Sequence, residues 1–246
     1  MAGHSKFKNI MHRKGAQDAK RAKNFTKLVK EITVAVKSCG EDIEFNPRLR
    51  TAIATAKVQN LPKDRIEAAI KKAANPQQGD NFEEIRYECY APGGVALVVE
   101  TVTDNRNRTA GEVKAILSKA GGNLAEPGSV LYMFDHVGEI FFKASAASAD
   151  TMLDSAIESG AEDCESTEEG HVIVCKSDDF HEVRNNLSKK YGEPEYAKIT
   201  WKPQTVIEIS SDEHKEKLMK IIDMLEDNDD VQDVYTNSNI DEISDK

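Results

Sequence analysis

Residues 139–201 read EIFFKASAASADTMLDSAIESGAEDCESTEEGHVIVCKSDDFHEVRNNLSKKYGEPEYAKITW, and this stretch decides the fold. Its apolar pattern predicts strands at 139–143, 162–166, 171–175 and 195–201, with helices at 149–159 and 178–190. That order, βαββαβ, is the ferredoxin-like unit. The segment after it gives a strand at 205–210, a helix at 213–226 and a strand at 231–236, which is half of another such unit. The missing half lies upstream. A hairpin, 84–91 and 94–102, turns at Pro92-Gly93-Gly94, where Pro followed by Gly suits a type II turn. Thr109-x-x-Glu112 is a capping box, and Val113, Ile116 and Leu117 continue a helix over 109–120. Residues 129–134 then predict a strand.

The economical topology is one discontinuous α+β domain, 81–135 plus 203–238, with a complete one inserted at 136–202. Residues 1–80 are helical. Phe25, Leu28, Val29, Ile32 and Val36 follow helical spacing up to Gly40, a C-cap. Asn46-Pro47 starts a second helix as N-cap and first-turn proline, and Pro62 opens a third with Ile66, Ala69, Ile70 and Ala73 on one face. The fold class is therefore α+β: an N-terminal three-helix domain followed by two ferredoxin-like α+β domains, one inserted in the other.

Charge divides the chain at the same place. The 246 residues carry a formal net charge of −10. Residues 1–80 hold 17 Lys+Arg and 8 Asp+Glu, a net of +9, whereas residues 81–246 hold a net of −19. The first 37 residues alone have 10 basic and 2 acidic side chains. An acidic chain as a whole is repelled by phosphate, but a basic arm on an acidic body is what a nucleic-acid contact at one end requires.

Other chemistries lack their usual signals. The four cysteines, Cys39, Cys89, Cys164 and Cys175, form no CxxC pair, and the six histidines are scattered. Neither HExxH, GxSxG, GxxxxGK[ST] nor GxGxxG occurs. No metal and no cofactor is expected. The first 14 residues hold no signal-peptide core, and no apolar run approaches the ~20 residues of a membrane span. The expectation is a cytoplasmic protein, with a mitochondrial presequence as the alternative because residues 1–17 lack acids.

Three segments are candidate sites. Lys6, Lys8, Arg13 and Lys14 precede any acid, and Lys20, Arg21, Lys23, Lys27 and Lys30 continue into the first helix. Of these, Lys20, Lys23, Lys27 and Lys30 form one helical stripe at i, i+3, i+7 and i+10. Phe7, between Lys6 and Lys8, suits stacking on a base or wedging into a groove. The plain alternative is a solvated helix face. In the second segment, Thr103-Asp104-Asn105-Arg106-Asn107-Arg108-Thr109, a helix N-terminus and two arginines, Arg106 and Arg108, could hold a phosphate. Equally, Asp104 and the asparagines satisfy turn and cap bonds while the arginines pair with local acids. The third, Glu226-Asp227-Asn228-Asp229-Asp230, lacks the central Gly of a calcium loop and reads as a solvated turn.

Several strings in order carry a family resemblance: Met1-Ala2-Gly3-His4-Ser5-Lys6-Phe7, Asn24-Phe25-Thr26-Lys27, Asn46-Pro47-Arg48-Leu49-Arg50, Leu61-Pro62-Lys63-Asp64, Tyr87-Glu88-Cys89-Tyr90-Ala91-Pro92-Gly93-Gly94, Thr103-Asp104-Asn105-Arg106-Asn107-Arg108 and Asp229-Asp230-Val231-Gln232. Over nearly its whole length the chain resembles the YebC/PmpR family. The resemblance implies three domains, a cytoplasmic location and DNA-binding transcriptional regulation. Relatives are also described as ribosome-associated translation factors, including a mitochondrial activator of cytochrome oxidase synthesis. Phe7 stands where that family usually has Trp, and Ala68 where an Arg is common.

The expected function is non-enzymatic regulation of gene expression, with nucleic acid bound through the leader and first helix. The target is DNA or, alternatively, ribosomal RNA on the ribosome. The partner set is nucleic acid, no membrane, and a basic protein for the acidic domains, with the chain itself a monomer. The alternatives from other classes are an enzyme holding an anionic substrate on Arg106 and Arg108, and a protein-interaction scaffold.

Overall fold

The computed structural model describes residues 17–75 and 81–239, with side chains from residue 22 onward. Among these residues it is an α+β structure of seven α-helices and two four-stranded sheets. The helices α1 (Gln17–Cys39), α2 (Pro47–Val58) and α3 (Lys63–Ala74) precede the sheets. One buried amide ends the first helix and starts the second. Asn46 Oδ1 accepts the Leu49 N–H, while its Nδ2 donates to the carbonyls of Ala35 and Gly40, both at 2.7 Å. Gly40, at φ 86°, takes the left-handed turn that closes α1.

The chain divides into two compact units. One comprises Met1–Val34, Lys72–Asp135 and Lys202–Lys246, and the other Ala35–Lys71 and His136–Trp201. By this division Ala35–Lys71, which holds α2 and most of α3, groups with the inserted segment. The α2 stripe Leu49, Ala52, Ile53 and Ala56 is buried.

In the first unit, β1 (Glu83–Ala91) and β2 (Val95–Thr103) form the predicted hairpin, followed by α4 (Arg106–Lys119) and a short β3 (Asn123–Leu124). After the insertion come α7 (Asp212–Glu226) and β8 (Val231–Thr236). The sheet order is β3-β1-β2-β8, and every one of these pairings is antiparallel. Val113 and Leu117 of α4 and Leu218, Ile221 and Leu225 of α7 are fully buried against Cys89, Leu97, Val99 and Val231. Each such aliphatic side chain contributes about 1.5–3 kcal/mol on burial.

The second unit carries β4 (Phe134–Lys143), α5 (Ala149–Glu158), β5 (Asp163–Ser166), β6 (Gly170–Lys176), α6 (Phe180–Tyr191) and β7 (Tyr196–Pro203). The strand order β5-β6-β4-β7 is the ferredoxin-like arrangement that the βαββαβ pattern predicts. Its core is built on Ile140, Phe142, Met152, Ile173, Phe180 and Leu187.

Three expectations are corrected. Residues 129–133 are no strand: Leu131–Met133 form a 3-10 turn, and only Phe134 of the expected strand is extended, as the first residue of β4. The cause is Glu88, whose carboxylate takes the N–H groups of Gly128, Val130 and Leu131, so these donors are unavailable to a ladder. Residues 205–210 make only an isolated parallel bridge, Ile207 to Ser238, because the segment runs beside the chain beyond the end of β8. Ile207 and Ile209 still pack on the core, which explains the alternating pattern. Finally, α4 is capped by Asn105, which accepts the Arg108 N–H, and not by Thr109. The Thr109 hydroxyl is drawn instead to Asp230 and Thr103.

Candidate nucleic-acid interface

The basic stripe of α1 and the acidic run 226–230 are two hundred residues apart in sequence and meet in the first unit. Lys23 Nζ donates to the Asp227 carbonyl at 2.9 Å and lies 3.2 Å from its carboxylate. One turn on, Lys27 Nζ donates to the Glu226 carbonyl at 3.0 Å. Lys30 goes deepest, being 7% exposed. Its ammonium donates to Asp230 Oδ1 at 2.7 Å, the Asp229 carbonyl at 2.8 Å and the Val102 carbonyl at 3.1 Å. The carbonyls of Glu226, Asp227 and Asp229 stand at and just past the C-terminus of α7, where the helix leaves acceptors unsatisfied and its dipole favours cations, while that of Val102 comes from β2.

All three candidate segments thus contribute to one structural device. Asp230 is 5% exposed and is the hub. Beyond Lys30, its Oδ2 accepts Arg108 Nη2 at 2.6 Å and lies 2.7 Å and 3.1 Å from the hydroxyls of Thr109 and Thr103. Burial alone would raise its pKa. The hydrogen bonds from Arg108, Lys30 and Thr109, with the Lys30 charge, outweigh it and bring the group down to about 2. Burial also makes the Lys27 ammonium easier to deprotonate, opposed by Asp233, Glu226 and Asp229.

Lys30, expected as a phosphate contact, spends its donors within the first unit. An ammonium has three donors, and all three are engaged inside the protein. Arg108 is likewise held, by Asp230 and by Asp104 at 2.8 Å, and Asn105 serves as helix cap. The plain reading of that loop therefore describes Arg108 and Asn105. Arg106 is exposed, with its carbonyl accepting the Tyr87 hydroxyl at 3.4 Å. Lys23 and Lys27 keep partly exposed side chains while they bond to the acidic turn. Lys6, Phe7, Lys8, Arg13 and Lys14 lie outside the described residues. Lys20 and Arg21 lie on α1, with their side chains outside the description.

Sequence reasoning missed Glu88 and Asp230. Glu88 is a buried carboxylate whose pKa burial would raise, but three backbone N–H groups bring it down overall. The string Tyr87-Glu88-Cys89-Tyr90 gives a usable signal, since an acid on a strand with apolar neighbours needs donors from elsewhere. For Asp230 the signal is drowned by its acidic neighbours. Among the described residues no group of three or more His, Cys, Asp or Glu is arranged to hold a metal ion, and no helix is long and apolar enough to cross a membrane. Burial pushes the Cys89 thiol up to about 12 and the Cys175 thiol to about 11, so neither is poised as a nucleophile.

A helical N-terminal region followed by two α+β sheet units, one inserted in the other, defines the structural class. The chain belongs to the TACO1/YebC family. The family model of the TACO1/YebC N-terminal domain matches residues 5–76, and that of the TACO1/YebC second and third domain matches residues 82–238. The crystal structure of a conserved hypothetical protein from Aquifex aeolicus is similar, with 47% identity and a TM-score of 0.84. That match covers 93% of this chain and 94% of the other.

Proposed function

We propose that this protein is a non-enzymatic regulator of gene expression that binds nucleic acid, with duplex DNA as the first target, through its basic N-terminal leader and the start of α1. The observation that carries this reading is the segregation of charge, +9 over residues 1–80 against −19 over the remainder. The internal engagement of Lys23, Lys27 and Lys30 sharpens which cations serve. They are Lys6, Lys8, Arg13, Lys14, Lys20 and Arg21, with Phe7 among them as an aromatic platform. The acidic remainder repels phosphate and limits contact to one end of the chain.

Six neutralised phosphates on duplex DNA give a slope of log K against log salt of about −5, and on a single strand about −4. Fluorescence anisotropy with labelled oligonucleotides at several salt concentrations measures it. Affinity independent of salt, or unchanged after deleting residues 1–16 with Lys20→Ala and Arg21→Ala, refutes the reading. The acidic remainder favours a second target, the ribosome, where ribosomal RNA meets the leader and basic ribosomal proteins meet the −19 body. Sucrose-gradient sedimentation of a lysate, with and without nuclease, separates the two. Co-migration with ribosomes selects RNA, and exclusion selects DNA.

A further inference from the structure

His181, Arg184 and Ser188 fall at i, i+3 and i+7 of α6 and so share one face of that helix. Arg184 is 4% exposed. Its Nη2 donates to Glu193 Oε2 at 2.6 Å, but its Nε is buried and has no acceptor among the described residues. The Ser188 hydroxyl is buried and equally without a partner. From α2, in the same compact unit, Arg50 sends Nη2 to the Glu44 carbonyl at 3.0 Å, and its Nε is a third buried donor with no acceptor.

A buried donor left unsatisfied costs about 1–3 kcal/mol, so three in one unit, two of them on one helix face, are an unbalanced arrangement. Charge is unbalanced as well, with two guanidinium groups against one carboxylate partner among the described residues, Glu193. Arg50 lies within electrostatic reach of both α6 residues. After burial, the charges of Arg184 and Arg50 lower the His181 pKa, and Arg50 opposes the protonation of Arg184. Missing from this set is an acceptor carrying negative charge on several oxygens, the ligand for which guanidinium groups are suited. The opposite face of α6 cannot take it. There a groove of about 230 Å³ is lined by Glu158, Asp179 and Glu182.

We infer that the face of α6 bearing Arg184 and Ser188, together with Arg50 of α2, is a binding site for a tetrahedral oxyanion of the phosphate type. The anion is either free or part of a nucleotide. Arg184 and Arg50 supply charge and Nε donors, Ser188 supplies a hydroxyl, and Glu193 holds the Arg184 fork in place. The site draws on none of the leader's cations, so it stands or falls separately from the nucleic-acid reading above. It also gives a role to Arg50, the end of the Asn46-Pro47-Arg48-Leu49-Arg50 string.

The test is a titration of the full-length protein with inorganic phosphate, followed by the arginine Nε–H resonances in a ¹⁵N correlation spectrum. The expected result is a saturable shift of the Arg50 and Arg184 signals, with the shift weakened about tenfold by Arg50→Gln and again by Ser188→Ala. Because Arg184→Ala risks unfolding the unit, Arg184→Lys is the informative variant, retaining charge while removing Nε and the fork. Repeating the titration with a nucleoside monophosphate and with a short oligonucleotide distinguishes a free anion from a nucleic-acid phosphate by which competes. Absence of a saturable shift overturns the inference. So does a shift that Arg50→Gln and Ser188→Ala leave unchanged, which marks an adventitious ion elsewhere. Deleting residues 1–16 leaves this titration unaltered if the site is real, even if nucleic-acid binding is lost.

Discussion

Replacing Asp230 by Asn should loosen the first unit by about 2–3 kcal/mol at neutral pH, and the deficit should fade in acid. The buried carboxylate accepts from Lys30 and Arg108 at 2.7 and 2.6 Å, and its pKa is brought from 3.8 down to about 2. Nearly two units of depression correspond to about 2.5 kcal/mol of preference for the charged form in the folded state. The amide of Asn removes that charge and turns a donor toward two cations. Since the folded pKa lies below the unfolded one, the contribution is complete above about pH 5 and lost as pH falls through about 2. Intrinsic fluorescence is the wrong probe, because Trp201, the single tryptophan, belongs to the other unit. Amide hydrogen exchange at Val102 is direct, since its N–H donates to the Asp230 carbonyl at 2.8 Å. Protection at Val102 and across β8 should drop about 30- to 100-fold at pH 7, and the ratio of variant to native should approach unity near pH 2. A deficit below about 0.5 kcal/mol, or one equally large in acid, refutes the view of Asp230 as a charged hub.

Further outcomes follow from other contacts. Asn46→Ala removes an N-cap and two buried acceptor contacts together, and should cost about 2–3 kcal/mol in a denaturant titration followed by Trp201 fluorescence. Gly170→Ala places a Cβ 2.2 Å from the Phe142 carbonyl oxygen and should destabilise the same unit by about 1–3 kcal/mol in that assay. Native-state alkylation with mass-spectrometric readout should label exposed Cys39 and spare buried Cys89 and Cys175. Neutralising Asp227 and Asp229 while keeping Asp230 should raise nucleic-acid affinity more than neutralising Glu165 and Glu168 does, because only the first pair adjoins Lys23 and Lys27. Equal gains in the anisotropy assay assign the effect to net charge alone.

Legibility followed the range of the interactions. The βαββαβ order of residues 134–203 is written in local periodicity, and Asn46-Pro47 marks its helix start with a capping side chain and a fixed φ. The 129–134 segment misled because Val130–Phe134 is an unbroken apolar run, while the group that shapes it is Glu88, about forty positions away. Residues 205–210 misled for a related reason. Their alternation is genuine, with Ile207 and Ile209 on the core, but a strand also needs a neighbour of matching length, and β8 ends at Thr236. In the candidate interface, the basic stripe and the acidic run were each visible. Their pairing was not, because helical spacing gives a side chain's direction on its own helix and says nothing of what a segment two hundred residues away brings to meet it.

That pairing changes how the charge asymmetry bears on function. Counted as a sequence, the first 37 residues offer ten cations to a phosphate backbone. Three of them, Lys23, Lys27 and Lys30, bond to the C-terminal end of α7 and the turn after it, and Lys30 is buried there with no donor to spare. The engagement deepens along the helix, from a partly exposed Lys23 to a 7% exposed Lys30, so it anchors α1 progressively toward Val34. In the proposed function, the acidic run thereby fixes α1 from Lys23 onward as well as neutralising part of the stripe. Removing the buried Lys30–Asp230 anchor, unlike neutralising Asp227 and Asp229, should then weaken binding, and in a different way from removing the leader's cations. The first loses orientation with the salt slope retained, and the second flattens the slope itself.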